Sequence, residues 1–212
     1  MIHNPILTGF HSDSAEISHK RSVWQHIVGT DLTYTRKYLQ VGVTATANFF
    51  QDTLSPSPSY YNSAYFKGKR QFAVGAHFRF HYRKAALFGE ITAASNSEWG
   101  VGGIIGTAIT PVRDFSVFAV YRYYSVHFDN LLGNAFGESS RQNAEQGFYL
   151  GVSSNRVRRL QLSFYADVFA FRMPKYGQKS PSAGVDMFAE ASWNITDQLQ
   201  FSSKLRWKNK FE

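Results

Sequence analysis

The sequence predicts an all-β chain, an antiparallel up-and-down transmembrane β-barrel with about ten strands in its 212 residues. Three observations carry this expectation. Ten segments alternate apolar and polar residues at period two, and their connectors alternate short and long along the chain. Most segments run ten residues or more, where about five or six is usual in soluble sheets and about 9 to 11 are needed to cross a bilayer at a tilt. Successive strand side chains point to opposite sides, so each segment makes a two-faced ribbon; a helix would repeat its apolar stripe every three or four residues.

The first two strands are expected at 22–35 and 38–50, joined by Arg36-Lys37. The clearest alternation lies in 69–82. There Phe72, Val74, Ala76, Phe78, Phe80 and Tyr82 share one face, and Ala73, Gly75, His77, Arg79 and His81 share the other. Arg83-Lys84 turns this strand into 85–94. The fifth, 98–109, contains Gly100-Val101-Gly102-Gly103, which has no phosphate-loop context and reads as small residues that permit a bend or close packing. The tight connector 110–114 leads to 115–127, then 155–158 joins 146–154 to 159–172, and 195–197 joins 184–194 to 198–210. These tight connectors read as periplasmic turns. The connectors 51–68, 128–145 and 173–183 are long and rich in Pro, Ser, Asn and Gly; with the shorter 95–97 they read as outer loops. Short turns on one rim and long loops on the other are the wiring of bacterial outer-membrane barrels.

The apolar faces are expected to meet lipid. On 159–172, Leu160, Leu162, Phe164, Ala166, Val168 and Ala170 oppose Gln161, Ser163, Tyr165, Asp167, Phe169 and Phe171. A soluble barrel would fill its inside with the apolar set. The polar faces instead mix rings, such as Phe118, Tyr165 and Phe188, with charges, as a filled lumen would. Arg79, Glu90, Arg122, Asp167, Asp186, Glu190, Lys204 and Arg206 form the expected lumen-lining charged network, where partners on neighbouring strands offset the loss of water. Trp24, Tyr34, Trp99, Tyr121, Tyr123, Trp193 and Trp207 fall near strand ends on apolar faces and are expected to form interfacial girdles.

Composition narrows the function classes. Mean hydropathy is −0.31 and no run approaches the roughly 18 apolar residues of a transmembrane helix. With no cysteine, disulfides and thiol nucleophiles are excluded. The net charge of +8 is spread along the chain; its densest clusters, 156–159 and 204–210, fall at a turn and on the last strand, so no direct nucleic-acid contact is expected. His77 and His81 share a face with Arg79 between them, which disfavours a metal, and no cofactor is expected. His26, His77, His81 and His127 could meet Ser116, Ser163 or Asp167, but no spacing singles out a catalytic set, so the chain is not expected to be an enzyme. The alternatives are an outer-membrane barrel enzyme of lipase or protease type and a soluble ligand-binding β-barrel.

Residues 1–212 read as a single domain, with 1–20 as a lead-in. The segment Met1-Ile2-His3-Asn4-Pro5 lacks the regions of a secretory signal peptide, so the chain is expected to be part of a longer precursor and of a larger barrel.

Several short motifs support a family likeness. Thr8-Gly9-Phe10-His11 before Ser14-Ala15-Glu16-Ile17, then Phe88-Gly89-Glu90, Ala135-Phe136-Gly137-Glu138, the run from Glu145 to Gly151, and Pro181-Ser182-Ala183-Gly184 together resemble a Bacteroidota envelope family. Its members join an N-terminal helix-hairpin-helix region, like that of competence DNA-binding proteins, to a C-terminal outer-membrane β-barrel. The resemblance covers the barrel portion. It implies an outer-membrane location, lipid and the barrel-assembly machinery as partners, and no established enzymatic activity. Departures are the missing signal peptide, the missing helical region and an end at Phe211-Glu212 without a terminal aromatic residue. The resulting expectation is an envelope transport or anchoring module for an unidentified small solute or envelope partner, linked to DNA uptake through the missing region.

Overall fold

A computed structural model describes Ser14, Ile17 and residues 24–56, 58–96 and 98–211. Its ten strands are β1 (Gln25–Arg36), β2 (Leu39–Leu54), β3 (Gly68–Tyr82), β4 (Ala85–Ser95), β5 (Trp99–Val112), β6 (Phe115–Tyr124), β7 (Glu145–Val157), β8 (Leu160–Phe171), β9 (Ala183–Asn194) and β10 (Gln200–Phe211). All belong to one antiparallel sheet in which each strand neighbours the next in sequence. The all-β, up-and-down arrangement is therefore as expected. The sheet is not closed: β1 and β10 do not pair with each other, and every residue of both is exposed. The motif expected at 8–11 and most of the lead-in lie outside the described residues.

Strand ends differ from the expectation where the ladder slips. β2, β5 and β7 run past their expected ends, across irregularities between Phe49 and Leu54, Ile109 and Val112, and Ser154 and Val157. Pro111, which cannot donate to a ladder, sits in the second of these. β6 instead stops early, because Ser125 begins a turn in which the Phe128 amide donates to the Ser125 carbonyl at 3.2 Å. The lengthened strands reduce the connectors 110–114 and 155–158 to the pairs Arg113-Asp114 and Arg158-Arg159, which join Lys37-Tyr38 and Arg83-Lys84 as two-residue turns. Each has one residue in the left-handed region, Lys37 (φ 41°), Arg83 (51°), Asp114 (61°) and Arg159 (65°). Tight hairpins need such a residue to follow the right-handed twist of their strands, and no glycine relieves it here.

The register fixes two faces. Leu32, Val43, Phe72, Val74, Ile91, Ile105, Phe148, Val168 and Leu205 lie on one face and are all exposed. On the other face Arg122, Asp167 and Asp186 are buried. What covers them is the 125–144 connector, which folds across the polar face instead of standing clear of the sheet. The compact apolar clusters lie at that junction: Ala73, Ala94, Tyr124 and Phe128 in one, with Ile104 and Ala135 against them, and Phe50, Leu54 and Phe66 in the other, with Leu131.

β5 explains how the connector can lie so close. A Cβ on Gly100 would fall 2.2 Å from the His127 carbonyl, and one on Gly102 would fall 2.7 Å from the Tyr124 ring and 2.8 Å from Phe128. Those two rings stack with centroids 5.5 Å apart. The glycines expected to permit close packing are thus the seat of the connector.

Candidate functional site

The polar face and the connectors folded over it form the candidate site. At its centre Arg122, fully buried on β6, donates through Nε to Glu145 Oε1 at 2.7 Å and through both terminal nitrogens to the Asp167 carboxylate at 2.7 and 3.0 Å. The two-point contact matches the planar fork of the guanidinium. Room for it comes from Gly147, its cross-strand neighbour, where a Cβ would lie 2.5 Å from the guanidinium carbon. The Phe136 ring caps the group at 5.1 Å.

Glu145 also ties down the connector. Its Oε1 accepts the Glu138 amide at 2.8 Å, and the Tyr124 hydroxyl donates to the Phe136 carbonyl at 2.7 Å. Phe136 meets Tyr149 edge to face, and Tyr149, Tyr165 and Phe188 continue as a row of neighbouring rings across β7, β8 and β9. Beyond that row Arg206 grips Asp186 at two points, 3.0 and 2.5 Å, while Lys208 pairs with Glu138 at 2.5 Å and Lys210 approaches the same carboxylate at 3.4 Å. Lys204 pairs with Glu190 at 3.4 Å. The connector is therefore pinned at both β6–β7 and β10.

The three long connectors interlock above this face. Asp129 accepts the Phe66 amide at 2.7 Å and pairs with Arg141 at 2.9 Å; Arg141 in turn lies over the Tyr65 ring at 4.3 Å. Gln71 donates to the Asp129 carbonyl and accepts the Leu131 amide. Lys175 donates to the backbone and side-chain oxygens of Asn143 at 2.8 and 3.0 Å. Burial pushes its ammonium down to about 8, against the opposing pull of Glu145 and Asp129. Burial likewise raises Asp129, with Arg141 acting against it.

Between this layer and the sheet lies a cavity of about 500 Å³, walled by Thr44, Thr46, Gly75, Glu90 and Thr92 and roofed by Tyr124, Phe128, Asn130, Asn134, Phe136 and Gln142. Its hydroxyl, amide and carboxylate groups could orient a small polar molecule.

The expected charged network thus divides. Arg122 with Asp167, Asp186 with Arg206, and Glu190 with Lys204 are joined as pairs. Arg79 and Glu90 stand outside them: neither has an ion-pair partner among the described residues, and Glu90 accepts only the Thr92 hydroxyl at 3.1 Å. Glu145, Glu138 and Asp129 were missed because they read as loop residues. Extending the alternation of Gly147 and Tyr149 back by one step would have placed Glu145 on the polar face.

Of the expected girdle residues, Trp24, Trp99 and Tyr123 lie at the long-connector rim, and Tyr34 and Trp193 at the tight-turn rim. Tyr121 and Trp207 sit further inside their strands, and Tyr123 is partly covered by Arg172, 4.9 Å above its ring.

Among the described residues, His77 and His127 approach carboxylates other than Asp167. His127 meets Glu98 at 3.4 Å, while both oxygens of Asp167 are taken by Arg122. Ser163 lies opposite Glu190, and His77 is 3.9 Å from Asp31. Among the described residues no group of three His, Asp or Glu side chains could hold a metal ion. No family model matches this sequence, and no curated protein matches it.

Proposed function

We propose that this chain is the barrel portion of an integral outer-membrane protein, an envelope transport or anchoring module whose apolar face meets lipid and whose polar face lines a plugged interior. The observation that carries this reading is the inversion of burial: Leu32, Val74, Ile91, Val168 and Leu205 are exposed while Arg122, Glu145, Asp167 and Asp186 are buried and paired. A solvent-exposed sheet has no use for an entire apolar face, whereas a bilayer does. The paired charges disfavour a soluble ligand-binding barrel, whose interior would be apolar.

Its partners are outer-membrane lipid, the barrel-assembly machinery and a small solute. The likeness to the Bacteroidota family supports a link to DNA uptake through a region separate from these residues. Expression with a signal peptide, followed by membrane fractionation, tests the reading. The chain should co-fractionate with outer membranes, require detergent for extraction, and migrate faster unheated than boiled. Recovery as a soluble protein without detergent would overturn it.

A further inference from the structure

Among the described residues Glu90 is the one charged group lining the cavity, and it forms no ion pair there: His77, opposite it on β3, approaches Asp31 instead. The wall around it is rich in acceptors. The Thr92 hydroxyl spends its proton on Glu90, and the Thr44 hydroxyl spends its own on Asp31 at 2.6 Å; both therefore present lone pairs. Asp31 adds a second carboxylate just behind that wall, with His77 at 3.9 Å as its nearest basic group. Arg79 lies on the same face of β3 but nearer the turn, and it does not line the cavity. The roof supplies rings at Tyr124, Phe128 and Phe136.

Acceptors, a carboxylate without a counter-ion and aromatic faces select one ligand chemistry. An anion would be repelled by Glu90, and a neutral polyol would gain a weaker hydrogen bond from the carboxylate than a cationic donor does. An ammonium group satisfies the carboxylate and interacts favourably with the rings. We propose that this cavity binds a small organic ammonium compound bearing further hydrogen-bond donors, of amino-sugar or short-polyamine size. Its volume of about 500 Å³ lies within the range for small-molecule sites. The inference rests on the polar face being the wet side of the sheet, as in the proposed barrel.

The test is calorimetric titration of the full chain in detergent with glucosamine and spermidine, and with glucose and gluconate as neutral and anionic counterparts. At neutral pH the amines should bind at least about tenfold more tightly than glucose, with no binding of gluconate. Glu90→Gln should abolish that preference while leaving faster migration of the unheated protein unchanged, and Thr92→Val should weaken amine binding with Glu90 intact. No amine binding by the folded chain would overturn the proposal, as would a preference that survives Glu90→Gln. Failure here leaves co-fractionation with outer membranes untouched; failure of co-fractionation would instead remove the barrel reading.

Discussion

Arg122 shows how much a single side chain holds together. Replacement by Met leaves Glu145 and Asp167 buried without their cation, and removing one partner of such a group costs about 3 to 5 kcal/mol. Arg122→Met should therefore lower the midpoint of urea unfolding and free the connector held by Glu145. Loss of neither would contradict the buried triad. Position on the sheet decides the effect of adding an arginine. Val168→Arg, on the exposed apolar face, should cost about 2 to 4 kcal/mol in a bilayer, while Ser163→Arg, opposite Glu190, should be milder. Equal tolerance in lipid-vesicle refolding would reject the face assignment. Lys175 supplies a pH signature. The unfolded chain holds its proton up to about 10.5, whereas the folded chain releases it near 8. Stability should therefore rise with pH across that window, and the gain is lost as pH falls through about 8. Thermal unfolding of Lys175→Met, compared with the unchanged chain, should lack that rise. At this scale the sequence was partly readable: alternation placed Arg122 and Asp167 on a common face of the sheet, but nothing local marked Asp129 or Arg141, whose partners lie in other connectors.

The connector 125–144 is the element that departs most from a sequence reading. Its Pro-free, Asn- and Gly-containing stretch reads as an exposed loop, and its burial depends on glycines two strands' length away in sequence, at Gly100 and Gly102. Strands are visible because alternation is a local property; docking of a loop is not, since it depends on shape across elements. Gly102→Val should push the Tyr124 and Phe128 rings off the sheet. Limited proteolysis should then cut within 128–142 faster than in the unchanged chain, with the strands still protected. Equal cleavage rates would mean that β5 does not seat the connector. The strand ends carry the same lesson, since irregularities at Pro111 and after Ser154 lengthen β5 and β7 beyond where simple alternation fades.

At the scale of the whole molecule, the number of strands follows from the alternation, and the pairing across the tight turns follows from connectors too short for crossovers. Closure does not, because edge pairing leaves no mark in periodicity. In hydrocarbon each unpaired backbone N–H or C=O costs several kcal/mol, so the edges β1 and β10 must acquire partners in a bilayer. Hydrogen exchange in lipid vesicles should show both edges as protected as β4 and β5; rapid exchange along either would contradict a membrane-embedded sheet. The two-residue turns have a further consequence at this scale. Because all four two-residue turns fall on one rim, Lys37, Arg83, Lys84 and Arg158, none of them ion-paired among the described residues, collect at that end of the sheet. The tight-turn rim therefore carries a band of unpaired positive charge that an anionic bilayer surface will attract, an attraction that salt will progressively screen.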